Sequence, residues 1–132
     1  AENSINDYLK RIPESGPGHF ILANIFAATG KHEQALNEYN KAGNESKLKA
    51  EAHNNRALIF IKKKLFDRAL EEFNQAVTIF PKLTDAHYNF GNLLIQTNGD
   101  LIKARWHLEK ALKLTTNLES KNRIKQALKA LP

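Results

Sequence analysis

The sequence predicts an all-α protein built as a stack of similar helix pairs. Two observations carry this. Apolar residues recur at three- and four-residue steps, the pattern of one-sided helices and not of strands. Residues 50–81 have a copy on each side at a spacing of 34 residues, the signature of a stacked repeat array. The chain of 132 residues contains no cysteine, so no disulfide framework, thiolate nucleophile or thiolate metal site organises it.

The central copy sets the register. Ala50, His53, Ala57, Phe60 and Ile61 share one helical face, and Phe66, Ala69, Leu70, Phe73, Ala76, Val77 and Phe80 share a second. A basic break at Lys62–Lys64 separates the two, and Pro81 stops the second helix because it lacks an N–H and clashes with the preceding turn. Shifting by 34 residues aligns His19, His53 and His87, then Ala23, Ala57 and Gly91, then Phe26, Phe60 and Leu94. In the second helices Ala35, Ala69 and Ala104 align, as do Tyr39, Phe73 and Leu108, and Ala42, Ala76 and Ala111. The last copy carries one inserted residue near Asn98–Asp100.

These residues resemble the tetratricopeptide repeat family. Its pattern of an aromatic, a small residue, an aromatic, an alanine, an aromatic and a proline is read here as His53, Ala57, Phe60, Ala69, Phe73 and Pro81. Histidine stands for the first aromatic in all three copies, Arg56 where leucine is usual, and Lys47 and Thr116 for the final proline. The resemblance covers about residues 16–116. It implies a right-handed α-solenoid, a superhelix of tetratricopeptide-like helix–turn–helix repeats. The first helix of each pair would line a concave groove, and the usual role is protein–protein interaction as a scaffold or adaptor.

Taken in order, one domain over 1–132 is expected to divide into an N-terminal half-repeat or cap helix (4–13), three repeats (16–47, 50–81 and 84–116) and a C-terminal capping helix (117–131). Ile5, Tyr8, Leu9 and Ile12 make Ser4–Ile12 amphipathic, and Pro13 ends it two periods before Pro81. That offset favours a half-repeat over an unrelated cap, and with Ala1 in place of a start methionine it predicts a processed or excised piece of a longer array. Glu14–Gly18 is a turn. Helices are expected from about Pro17 to Thr29 and on to about Ala42, with a turn at Gly30 and a break at Gly43–Ser46. The third pair runs from about Leu83 to Thr97 and, after Asn98–Gly99–Asp100, to about Leu114. Asp100 is placed to cap its second helix. Thr116 and Glu119 have capping-box spacing before a last helix with Ile124, Leu128 and Leu131 on one face and Lys121, Arg123, Lys125 and Lys129 on the rest.

Composition narrows function. The formal net charge is +6, and residues 81–132 supply most of it, with nine basic against four acidic side chains. No apolar run approaches the ~20 residues of a membrane span. No HExxH, P-loop or dinucleotide fingerprint is present. His19, His53 and His87 fall on successive helices, roughly 8–10 Å apart, too far to share an ion. Glu71–Glu72 flank core positions and read as a solvated face. Neither catalysis, a cofactor nor a metal is therefore expected. Nucleic acid is disfavoured, because Phe26, Phe60, Phe66, Phe73 and Trp106 fall on or beside core positions and are not free to stack on bases.

The groove side of the first helices is then fixed by the helical period. It carries three rows: Phe20, Asn54 and Tyr88; Asn24, Leu58 and Asn92; Ala28, Lys62 and Gln96; with Asn55 and Asn89 beside them. Asparagine donates to and accepts from a peptide backbone at once, and Phe20, Leu58 and Tyr88 offer apolar contact. The candidate peptide-binding residues are thus Phe20, Asn24, Asn54, Asn55, Leu58, Lys62, Tyr88, Asn89, Asn92 and Gln96, and the expected partner is a protein or peptide segment. Some members of the family grip a C-terminal carboxylate with lysines, asparagines and an arginine. Phe20, Asn24, Asn55, Asp85 and Asn89 stand at those positions here, so the cations are missing and Asp85 would repel a carboxylate. Two other uses stay open: self-association into a homo-oligomer through exposed repeat edges, and binding of an anionic surface, nucleic acid or membrane, through the basic C-terminal helix.

Overall fold

The computed structural model describes residues 1–132 and contains eight α-helices and no strand. They are α1 (Glu2–Arg11), α2 (Gly16–Ala28), α3 (His32–Tyr39), α4 (Ser46–Lys62), α5 (Phe66–Ile79), α6 (Thr84–Gln96), α7 (Leu101–Leu114) and α8 (Leu118–Lys129). The tightest packing joins α2 to α3, α4 to α5 and α6 to α7, so the chain is a row of helix hairpins, with α1 against α2 and α8 against α7. Helix α2 also touches α4, and α4 touches α6, whereas no comparable contact joins α3 to α5 or α5 to α7. The first helices of the hairpins therefore stand closer together, on the inner side of the curve.

Each hairpin turns in the same way. Gly30, Lys64 and Asn98, each 34 residues after the last, hold left-handed backbone with φ of 79, 60 and 53°. The next residue then bonds back to the helix it leaves: Lys31 N to Phe26 O at 2.8 Å, Leu65 N to Phe60 O at 2.8 Å and Gly99 N to Leu94 O at 2.7 Å. This is the Schellman closure, which satisfies carbonyls that a helix end leaves orphaned.

The expected register is the observed core. Ala23, Ala57, Ala35, Ala69, Ala104, Ala76 and Ala111 are fully buried, and Phe60, Tyr39, Phe73 and Leu108 nearly so. Gly91 aligns with Ala57 and has even less room: a Cβ there would stand 2.8 Å from Leu108 Cγ. Apolar packing carries the α5–α6 seam, where Phe73 stacks on Phe90 with ring centroids 6.1 Å apart. The α3–α4 seam is thinner and more polar. There Arg56 donates to Leu36 O at 3.3 Å, to Asn40 Oδ1 and, on α5, to Glu72 Oε1 at 2.6 Å, while Lys63 pairs with Glu33. Arg56 is thus a tie between hairpins, which explains its place at a position that is usually leucine.

Some boundaries differ from expectation. Helix α4 begins at Ser46, because the Glu45 carboxylate caps it by accepting from Lys47 N at 3.2 Å and Leu48 N at 2.7 Å. Asp100 caps α7 as expected, accepting from Lys103 N at 3.0 Å. Helix α8 is capped by Asn117 and not by Thr116: Asn117 Oδ1 accepts from Ser120 N at 2.9 Å, and asparagine is the better N-cap. Trp106 is not a core side chain. The inserted residue brings it into line with exposed Glu71, and it stands 56 % exposed on the outer face of α7, one turn from exposed Ile102.

Candidate functional site

The inner faces of α2, α4 and α6 carry a connected row of side-chain amides. Asn89 Nδ2 donates to Asn54 Oδ1 at 3.2 Å, Asn54 Nδ2 to Asn55 Oδ1 at 3.4 Å, and Asn55 Nδ2 to Asn24 Oδ1 at 3.2 Å. The Tyr39 hydroxyl also donates to Asn24 Oδ1 and anchors the row in the core. Every amide points its donor the same way, from α6 toward α2. Asn89 Oδ1 at one end and Asn24 Nδ2 at the other bond to no protein group, and each amide between keeps one N–H to spare.

The structure places the ten candidate residues in two layers. Asn24, Leu58, Lys62 and Gln96 are exposed, and Asn55, Asn89 and Asn92 are half-buried along the same side. The row of Phe20, Asn54 and Tyr88 lies deeper than expected. Asn54 is only 6 % exposed, because it sits where α4 meets α6 and its amide bonds Asn55 and Asn89. Phe20 meets Tyr39 edge-on at 5.7 Å, and Tyr88 packs against the cluster of Leu108, Ala111 and Ile124. Asn55 and Asn89 do not bond each other; the row passes from α6 to α4 through Asn54 and from α4 to α2 through Asn55.

At its α6 end the inner face meets α8. Thr84, Asp85, Tyr88, Ser120, Arg123 and Ile124 line a small cavity there of about 60 Å³. Ile124 is buried against Leu108 and Ala111, with Leu128 and Leu131 packed on the same cluster.

Tyr39 was the residue missed by sequence reasoning. It stands at the core position of Phe73 and Leu108, and a hydroxyl at a buried site demands a partner. That demand was the available signal. Burial pushes its phenol above the ordinary value.

The histidines serve the hairpins and not the groove. His19 Nδ1 lies 2.6 Å from Glu38 Oε2, and His53 Nδ1 lies 3.1 Å from Glu72 Oε1. Neither is fully buried, contrary to what an aromatic-replacing position suggests; only His87 is, at 2 % exposure. His19 Nε2 and His87 Nε2 each donate to a proline carbonyl six residues earlier, Pro13 O and Pro81 O, both at 2.7 Å. Histidine thus supplies what a phenyl ring cannot, a bond that ties the first and third hairpins to the turns before them. Burial works against the Glu72 carboxylate, but hydrogen bonds from His53 and Arg56 and the Arg56 charge outweigh it and hold its pKa below the ordinary range.

The fold and this row of amides define a helical-repeat solenoid with a polar inner face. Residues 50–83 match the family described as "Tetratricopeptide repeat" and are such a repeat. Solved structures extend the likeness to the whole chain. YrrB, described as a TPR protein with an unusual peptide-binding site, superposes with a TM-score of 0.76 at 22% identity, over 97% of this chain and 66% of its own. The first TPR of Spaghetti (RPAP3), bound to the HSP90 peptide SRMEEVD, gives 0.72 at 24% identity over 88% and 97%. MamA gives 0.71 at 16% identity over 96% and 77%. No curated protein matches the sequence. No helix is long and apolar enough to cross a membrane.

Proposed function

We propose that the chain is a non-catalytic protein-interaction module that holds an extended peptide segment along the inner faces of α2, α4 and α6, as a scaffold or adaptor. The same proposal takes 16–47, 50–81 and 84–116 as its repeats, 4–13 as a half-repeat or cap, and 117–131 as the closing helix. The observation that carries it is the amide row. Its members are already fixed by one another, so a ligand backbone meets oriented donors and acceptors at little ordering cost. Leu58 and half-buried Tyr88 favour apolar ligand side chains, and Lys62 an acidic one.

Two structural neighbours are described by peptide binding, one of them with the acidic peptide SRMEEVD. The groove here is chemically different. Its polar groups are mostly neutral amides, and Asp85 stands at its α8 end. A ligand read through its backbone, with apolar anchors, fits this surface better than a carboxylate-rich tail.

The test pairs two sets of substitutions. A ligand is isolated by pull-down, mapped on a peptide array and titrated by calorimetry. Asn55→Ala with Asn89→Ala should weaken it about tenfold, since each lost neutral hydrogen bond is worth ~0.5–1.5 kcal/mol. Lys121→Ala with Lys125→Ala on α8 should leave affinity within twofold (about 0.4 kcal/mol). The reverse outcome would replace the groove by an anionic-surface reading.

A further inference from the structure

We infer that the third hairpin carries an acid-sensitive latch, the buried pair His87–His107, whose protonation loosens α6 from α7 and α8 while α2–α5 stay folded.

In the first two hairpins the histidine of the first helix faces a carboxylate on the second, Glu38 or Glu72, which accommodates a charged ring. In the third, the insertion at Asn98–Asp100 and the substitution together put His107 at that place. His87 is 2 % and His107 4 % exposed, and their Nδ1 atoms are 2.9 Å apart. Pro81 O can only accept, so His87 Nε2 carries a proton. His87 Nδ1 must then accept, and His107 Nδ1–H must donate. This arrangement works with both rings neutral. A first added proton buries an unpaired charge; a second sets N–H against N–H and breaks the bond.

Nothing nearby offsets that charge. The neighbours on α7 are Lys103 and Lys110, both positive. Asp85 on α6 lines the cavity against α8, and Glu109 on α7 lies beside Trp106 on the outer face. Glu72 on α5 is held by His53 and Arg56, and Glu119 on α8 by Arg123 at 3.0 Å. Phe90 stacks on His107 at 4.3 Å and Trp106 meets both rings edge-on, so the immediate surroundings are apolar.

The sign follows. Burial lowers the pKa of His87, with Lys110 adding to the effect against the Pro81 bond. Burial, His87 and Lys103 lower that of His107 to about 4. An exposed imidazole titrates near 6.5. The open state therefore binds more protons than the closed one below about pH 6.5. Opening becomes easier as pH falls toward about 4, by up to tenfold per pH unit for each ring, and levels off below. Helix α6 carries Tyr88, Asn89, Asn92 and Gln96, so the same step would disturb one end of the groove. That consequence rests on the groove reading; the latch does not.

The test uses the free chain, residues 1–132. Amide exchange is followed by NMR between pH 7 and 4.5 and corrected for the intrinsic pH dependence. Protection in α6–α8 should fall about 10- to 100-fold more than in α2–α5, with a matching change in the fluorescence of Trp106, the sole tryptophan. His107→Glu installs the carboxylate of the other hairpins and should abolish the difference. If that variant fails to fold, the wild-type exchange map and the ring titrations of His87 and His107 decide alone. Equal protection loss in all helices, or His87 and His107 both titrating near 6.5 with α6–α8 unchanged, overturns the latch. No ligand enters the measurement, so a groove that binds nothing leaves the outcome untouched.

Discussion

Lys64 holds a left-handed backbone where the first hairpin uses Gly30 and the third Asn98. Its Cβ makes that conformation costly, by roughly 1–2 kcal/mol in an L-residue. Lys64→Gly should therefore stabilise the fold by about 1 kcal/mol, less the entropy glycine adds to the unfolded chain, and raise the melting temperature by about 3 °C. The opposite holds at Ala57 and Ala69, which have no exposed surface. Leucine at either should overpack the hairpin and cost ~1–3 kcal/mol, seen as a lower thermal midpoint. These small positions were legible from the 34-residue alignment alone. The roles of the histidines were not. His19 with Pro13 and His87 with Pro81 were visible as recurring pairs in the sequence, but only the turn geometry brings each ring onto the carbonyl.

Among the elements, helix existence and order were readable because apolar periodicity and the proline and glycine breaks agree. Boundaries moved where a cap chemistry competed, as at Glu45 before α4 and Asn117 before α8. Asp100→Ala should remove the cap of α7 and cost about 1 kcal/mol in urea unfolding. The seams between hairpins were the less legible part. Apolar pattern predicts a seam such as Phe73 on Phe90, but not one that depends on a single guanidinium. Arg56→Met keeps much of the aliphatic volume and removes the bonds to Leu36 O, Asn40 and Glu72. It should cost about 2 kcal/mol, most of it from the Glu72 carboxylate, which keeps only His53 as a partner, and soften the α3–α4 seam before the others in hydrogen exchange.

For the molecule as a whole, the sequence located the inner face but not its depth. A helical period assigns directions around an axis. It does not say how far the neighbouring helix reaches, and so Asn24 and Leu58 came out exposed while Asn54 sank between α4 and α6. Nor does a period show which amide gives its hydrogen to which. That pattern appears only when three helices are set side by side.

The amide row has an arrow. All its N–H bonds run from α6 to α2, leaving a bare oxygen at Asn89 and a bare N–H₂ at Asn24. A strand laid along such a row is not read the same in both directions, even by a surface that ignores its side chains. A peptide of inverted sequence presents the same side chains in the same places when threaded backwards, but its own amides then point the wrong way. Once a ligand is in hand, its inverted twin should bind about tenfold more weakly, the equivalent of one or two hydrogen bonds lost. Equal binding of the two would mean that side chains alone set the grip.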